Sequence, residues 1–373
     1  MYVTVAVLKE THPHERRVAL VPGVVPKLIK LGAKIHMQTG AGLAINLLES
    51  AYKDVEFIED RKKLVADADV VLAVQPPSHE VIHAMKEGAI LVSFIYANKE
   101  PELVQLLCDR KITCFAMEQI PRITRAQSMD ALSSQSALAG YYAVELGATH
   151  LSRILPKITT AAGAIGPAKV LVIGLGVAGL EAVATAHRLG AIVEGYDVRP
   201  DTEEQALSLG ATFVKTGVDA SGAGGYAREL SAEEKSKVTS VLTHHIQQAD
   251  LVITTASIPG RPSPKLINKA QVAGMKAGSV IVDLSAEGGG NCEDTLPGET
   301  AQVGLVKIVA PLNLPSLLGA DASELYSKNV HNLLALMMKD NIVKIDWSDE
   351  VLEKTALTHE GALKHPSQKK AAA

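Results

Sequence analysis

The 373-residue sequence has no excess of positive charge: 37 Lys and Arg stand against 41 Asp and Glu, a net charge of −4. A dedicated nucleic-acid binder normally carries a basic surplus on at least one domain, so that class is set aside. Cysteine is scarce too. Cys108, Cys114 and Cys292 are odd in number and lack metal-ligand or redox spacing, which points to reduced thiols in a cytoplasmic protein with no metal site. No stretch reaches the ~18 uninterrupted apolar residues of a membrane-spanning helix. The opening MYVTVAVLKE has no basic segment followed by an apolar one, so it reads as a strand and not as a secretion signal. No internal repeat of solenoid spacing is present.

What is there is a folded globular chain, 47% hydrophobic and 21% charged, with length for two or three domains. Short β-branched runs alternate with helix-length segments. VTVAVL (3–8), AKIHMQ (33–38), DVVLAV (69–74), AILVSFI (89–95) and ITCFAM (112–117) read as strands, several of them continuously apolar as in parallel sheets buried on both faces. PGVVPKLIKLG and PELVQLLCDRK read as helices, with Pro near the start and Gly or Lys near the end. A second series runs from AKVLVIGLGVAGLEAVATAHRLGAIVEGYDVRP (168–200) through ADLVITTASIPG (249–260) and GSVIVDLSAEGG (278–289) to the segment Gly304–Pro315. The expected fold class is α/β: two Rossmann-like domains with mostly parallel sheets and a cofactor cleft between them. Residues 1–135 plus 320–373 would form a discontinuous N-terminal domain, because the helix-length ASELYSKNVHNLLALMMKD (322–340) can pack back on the first series. Residues 136–319 would be the second Rossmann domain.

VLVIGLGVAGLEAVA places Gly174, Leu175, Gly176, Val177 and Gly179 in GxGxxG spacing, after an apolar strand and before a helical pattern. The glycines allow a tight turn, close backbone approach to a pyrophosphate, and tight helix-on-strand packing; the helix N-terminus offers amide N–H groups to phosphates. The next strand ends at Asp197, Val198 and Arg199, about twenty residues on, where an acid accepts hydrogen bonds from the adenine ribose. An acid there repels a 2′-phosphate, so NAD(H) is expected over NADP(H); Arg199 is the one feature that blurs this. Thr255, Ala256 and Ser257 follow another strand and would lie at the carboxyl edge of the sheet, where the dinucleotide's ribose passes. TGVDASGAGGYARELSAEEKSK (216–237) is Gly-rich and then charged: a linker, or a mobile lid with Gly225 and Tyr226 at its tip, the lone large aromatic favouring the lid.

RITRAQSMDALSSQS (122–136) holds arginines, glutamines, serines and an aspartate but no lysine or glutamate. Ser134 and Ser136 suit a capped helix start equally well, and Arg125 suits a surface position as well as a ligand contact. Together with GLGVAGL and the GGYARE loop, this run resembles the NAD(H)-binding component of proton-translocating nicotinamide nucleotide transhydrogenases, over nearly the whole chain. Alanine dehydrogenases share the general plan, including a KE…E.RVAL.P block seen here from Lys9 through Arg17 to Pro22.

The resemblance implies that NADH is bound here and NADP(H) on a separate NADP(H)-binding beta component, with direct hydride transfer between the nicotinamides coupled to proton movement through membrane-spanning subunits. It implies that Arg122, Gln127, Asp130 and Ser133 surround the nicotinamide, that Arg125, Ser128 and Met129 in the same loop touch the cofactor, and that Tyr226 belongs to the lid. It also implies a homodimer. Such transfer releases no proton at the reacting carbons, so the site needs alignment at ~3–3.5 Å rather than an acid or base, and amide, hydroxyl and guanidinium groups serve that. Gln127 is the residue expected to orient the dihydronicotinamide.

An amino-acid dehydrogenase would need an acid/base group and a cation for the substrate carboxylate. Where alanine dehydrogenases carry a lysine and a histidine, this chain has Gln75 and Tyr96; Arg17 remains, and the sequence alone does not tell what His12, His14 and His79 bond to. A non-catalytic NAD-sensing module is the rival from another class. The tail KHPSQKKAAA has no hydrophobic span, so the membrane components are expected on other polypeptides, with this chain docked peripherally at the cytoplasmic face of the cell membrane.

Overall fold

A computed structural model describes residues 2–221, 228, 230–257 and 261–365. The chain divides into two compact units, Met1–Gln135 with Ser316–Ala373, and Ser136–Pro315.

The first unit starts with β1 (Val3–Val7), α1 (Val25–Lys30), β2 (Ala33–Gln38), β3 (Val55–Ile58), α2 (Arg61–Ala66), β4 (Val70–Leu72), α3 (His79–Ala84), β5 (Ile90–Ser93), α4 (Pro101–Asp109) and β6 (Thr113–Ala116). The strands lie in the order β3-β2-β1-β4-β5-β6, all parallel. Successive residues of β1 serve opposite faces: Val3, Val5 and Val7 join one core, Ala6 joins the other. That is why the strand reads as an unbroken apolar run. β3 carries no such signature, since VEFI sits at the sheet edge with Glu56 exposed.

A long helix, α5 (Ala131–His150), leads into the second unit. There β7 (Ile158–Thr160) and β8 (Gly163–Ile165) form an exposed ribbon. The doubly wound sheet follows with β9 (Lys169–Ile173), α6 (Val177–Arg188), β10 (Ile192–Tyr196), α7 (Thr202–Ser208), β11 (Thr212–Phe213), α8 (Ala232–Gln248), β12 (Leu251–Thr254), α9 (Lys269–Ala273), β13 (Val280–Asp283), β14 (Thr300–Val303) and β15 (Val306–Val309). Its order is β11-β10-β9-β12-β13-β15-β14, parallel except for the edge strand β14. Strand order reverses between β9 and β12, and in such sheets ligands bind outside the carboxyl ends of the strands at that point. The charged half of 216–237 is the start of α8, where Ser231 and Glu234 form a reciprocal capping box.

The chain then returns to the first unit as α10 (Gly319–Leu334), β16 (Met338–Lys339), β17 (Ile342–Val343), α11 (Glu350–Thr355), β18 (Ala356–His359) and β19 (Ala362–Leu363), the last two extending the sheet antiparallel beyond β6. The helix expected to reach residue 340 therefore stops at Leu334. Asp340 and Asn341 both take positive φ, 52° and 63°, and make the two-residue turn of a small hairpin instead. α10 is anchored by polar bonds as well as packing: Ser323 and Ser327 hydroxyls accept from Val18 and Val21 N–H, and the fully buried Tyr326 hydroxyl donates to the Ala73 carbonyl at 2.7 Å. Tyr326→Phe should cost about 1–3 kcal/mol in urea unfolding, because it leaves a buried carbonyl unpaired without changing the packing; an unchanged midpoint would show that the bond contributes nothing net.

Candidate functional site

At the carboxyl end of β9 the chain turns through Gly174, at φ +95°, and enters α6 with Gly176 as N-cap. The three glycines have three different reasons. A Cβ on Gly174 would lie 2.7 Å from Thr255 Oγ1, in a conformation L-residues avoid. A Cβ on Gly179 would lie 1.8 Å from the Gly174 carbonyl oxygen, so this glycine lets the helix sit on the turn. Gly176 has φ −77°, and a Cβ there would meet nothing within 4 Å. No atom of the described residues demands that glycine; the space they leave in front of a helix N-terminus is where a phosphate would approach the backbone.

The register Thr254↔Ile173 places the segment after β12 beside this turn. Thr255 N–H donates to the Ile173 carbonyl, and Thr255 Oγ1 donates to the Gly174 carbonyl at 2.8 Å. Ala256 is gripped by Asn291, whose Oδ1 accepts from Ala256 N–H (3.0 Å) while Nδ2 donates to the carbonyls of Ala256 and Pro264, both at 2.8 Å. Asn291 is fully buried and is itself held by Asp283 at the end of β13; that carboxylate accepts from Thr254 Oγ1, Thr295 Oγ1 and the N–H groups of Ser285, Asn291 and Cys292. Sequence reading missed this pair. The available signal was an aspartate ending a buried strand followed by GGGN, with Gly289 and Gly290 at positive φ. Ser257 is exposed beyond Ala256.

Asp197, 8% exposed at the end of β10, accepts from Leu175 N–H at 2.7 Å, so the acid and the glycine turn are directly coupled. Arg199 also donates to it through its N–H, Nε and Nη2. Leu175 is buried with its side chain over Gly195, Val177 is exposed, and Val198 packs half-buried on the core. Gly225 and Tyr226 lie outside the described residues.

Residues 6–139 match the family described as alanine dehydrogenase/PNT, N-terminal domain, and residues 143–366 match alanine dehydrogenase/PNT, C-terminal domain. The chain belongs to the alanine dehydrogenase/PNT family. It is 43% identical to an NAD(P) transhydrogenase subunit alpha polypeptide of Rhodospirillum rubrum, over 97% of this chain and 98% of that one. The crystal structure of transhydrogenase from Sinorhizobium meliloti superposes with a TM-score of 0.86 at 40% identity, covering 98% of this chain and 99% of that one. Alanine dehydrogenase of Bacillus subtilis is 32% identical over 78% of this chain and 72% of its own length.

The first unit holds the rest of the expected residues. Thr124–Met129 forms a 3-10 turn ahead of α5. Asp130 and Ser133 act structurally, since the Asp130 carboxylate accepts from Ser133 N–H (2.9 Å) and Oγ (2.6 Å), capping α5. Ser134 Oγ bonds Ala131 and Asn329. The Ser128 carbonyl accepts from Asn329 and Asn332. The Met129 side chain is 6% exposed and packs within the core. Arg125 forms a two-pronged ion pair with Asp349, the N-cap of α11, at 2.9 and 2.6 Å. Arg122 is exposed. Gln127 is exposed too, and its amide bonds no other described residue.

At the switch point of the first unit, between β1 and β4, the groups are already paired. Arg17 grips Glu15 at 2.8 and 2.7 Å and donates to Gln135, while Gln75 Nε2 donates to the same Glu15 carboxylate at 2.8 Å. Tyr96, at φ +52°, is held there by Glu118, which accepts from the N–H groups of Ile95 and Tyr96. Glu10 accepts from Val74 and Gln75 N–H in a small crevice shared with His12 and Arg61. Burial first, and the nearby Glu15 charge, push its carboxyl up to about 7.

The glycine geometry separates two substitutions. Gly176→Ala should fold with wild-type stability, whereas Gly179→Ala should lose several kcal/mol or fail to fold, as overpacking against backbone does; equal melting midpoints would contradict the assignment. The raised Glu10 carboxyl means that the folded chain holds this proton more tightly than the unfolded one. Its contribution is therefore present below the usual carboxylate range and lost as pH rises towards 7. Glu10→Gln should be the more stable form at pH 8, by up to about 3 kcal/mol, with the difference closing near pH 4.5.

Proposed function

We propose that this chain is the NAD(H)-binding subunit of a proton-translocating transhydrogenase. The observation that carries the reading is a glycine turn bonded directly to Asp197 at a strand-order switch point, in a chain that has an amide, Gln75, bonded to Glu15, where alanine dehydrogenases carry a lysine. The 43% identical relative named as a transhydrogenase alpha subunit supports it.

On this reading NAD(H) lies across the β9–β12 switch point. Gly174, Leu175, Gly176, Val177 and Gly179 would carry its pyrophosphate at the start of α6. Asp197 would take the adenine ribose, and Ser257 would flank the nicotinamide end. Asn291 and Thr255 fix the backbone under that end. Gln127, Arg122, Asp130 and Ser133 are proposed for the nicotinamide loop, with Asp130 and Ser133 acting by holding the start of α5. The cofactor supplies the hydride, and the protein supplies orientation and no proton. NADP(H) would sit on the partner beta component, and membrane-spanning subunits would couple transfer to proton movement. Among the described residues no helix is long and apolar enough to cross a membrane; the proposal places the chain peripherally at the cytoplasmic face, as a homodimer.

Mixing the purified chain with a transhydrogenase NADP(H)-binding component should give hydride transfer from NADH to an NADP+ analogue, absent with either protein alone. Gln127→Asn should lower the rate about tenfold or more with NADH binding retained, because shortening the side chain misplaces the amide by about one ångström. An unchanged rate removes the role given to Gln127. NADH formed from alanine and NAD+ by the chain alone would instead make it an amino-acid dehydrogenase.

A further inference from the structure

The acid proposed to take the adenine ribose is already saturated by the chain's own donors. Asp197 Oδ1 accepts from Arg199 N–H (2.9 Å) and Nε (2.8 Å); Oδ2 accepts from Leu175 N–H (2.7 Å) and Arg199 Nη2 (2.7 Å). Two carboxylate oxygens offer about four lone-pair sites, and all four are used. The two backbone donors belong to the fold: Leu175 N–H is in the glycine turn, and Arg199 N–H is in the strand-end turn. The guanidinium is the removable donor, because it reaches back over a side chain 22% exposed while that of Asp197 is 6% exposed.

We infer that Arg199 is the specificity-determining residue of the adenosine subsite, acting as an internal competitor that a ribose diol must displace from Asp197. This rests on the reading that a nicotinamide dinucleotide binds at this site. A diol donates two hydrogen bonds to the same two oxygens that the guanidinium fork now holds. Binding therefore exchanges a two-pronged ion pair for hydrogen bonds from uncharged hydroxyls to the same carboxylate, which lowers the affinity for an unphosphorylated ribose. A 2′-phosphate meets the opposite balance. It is repelled by Asp197, but a guanidinium freed from that carboxylate lies within reach to offset its charge. Arg199 thus narrows the preference for NADH over NADPH from both sides. Its removal leaves Asp197 buried with two acceptor sites unfilled, a cost present in the free protein and relieved when the diol arrives.

The test is NADH and NADPH titration, by nucleotide fluorescence, of the full chain and of Arg199→Gln, with thermal melting alongside. Wild type binding no NADH would overturn the dinucleotide reading itself, and the inference with it. Given wild-type binding, Arg199→Gln should bind NADH about three- to tenfold more tightly and NADPH no more tightly. Its melting midpoint should be lower than wild type without nucleotide and should rise further on adding NADH. NADH affinity unchanged or weakened, or an equal gain for NADPH, would overturn the inference. If Arg199→Gln does not fold, Arg199→Lys serves: it keeps the charge but loses the fork, so tighter NADH binding is still expected, and an unchanged or weaker value refutes the competition.

Discussion

The second unit depends on how closely backbone approaches backbone around Gly174. Its carbonyl oxygen lies where a Cβ of residue 179 would be, and Thr255 Oγ1 donates to that same oxygen while crowding the missing Cβ of Gly174 itself. Two absent side chains therefore bring the first turn of α6, the end of β9 and the start of the β12 loop within a few ångströms of each other. The α6 N-terminus faces open space only because that contact is made. Leu175 N–H then turns away to Asp197, which fixes the distance between the glycine turn and the acid at the end of β10. One steric constraint thus sets the spacing of groups drawn from three strands.

The two units share a strand order and use it differently. In the second, the switch point is kept open by glycine. In the first, the equivalent place carries Glu10 and, beside it, the Arg17–Glu15–Gln75 group. A buried carboxylate with a proton affinity near neutrality is costly for stability unless it is paired or protonated. Here two strand-end N–H groups donate to it, and the crevice beside them is small. A dehydrogenase handling an amine and a keto acid would need an ionisable group free to exchange a proton with substrate. Gln75 has no proton to exchange, and it is bonded to Glu15.

Much of this was legible in the sequence because its signals are local. Continuous β-branched runs marked the buried strands, and the spacing of Gly174, Gly176, Gly179 and Asp197 marked the turn and the acid. What escaped was set by tertiary partners. β3 shows no continuous apolar run, because its four residues VEFI form an edge strand with a charged residue inside it. The helix after residue 322 kept its apolar period past Leu334, but the left-handed Asp340–Asn341 pair imposed a hairpin. Asn291 gave no periodic signal at all; its role exists only because β12 and β13 end side by side and an unpaired loop backbone there must be satisfied.

The polar run 122–136 shows most directly how such a site divides its labour. Counted in the sequence, its arginines, glutamines, serines and aspartate look like one cluster of ligand contacts. In the fold, most of them hold the segment itself: Asp130 and Ser133 cap α5, Ser134 and Gln135 tie it to α10, Arg125 ties it to α11, and Ala126 and Met129 plug it into the core. Gln127 and Ser128 are left exposed between the buried Ala126 and Met129. An amide on a loose loop would lose its orientation to rotamer and backbone freedom, each costing about 1 kcal/mol to restrict. Fixing the residues on both sides supplies that order in advance. On the proposed reading, hydride transfer without acid or base chemistry asks the protein mainly for orientation, and these scaffold bonds would supply it.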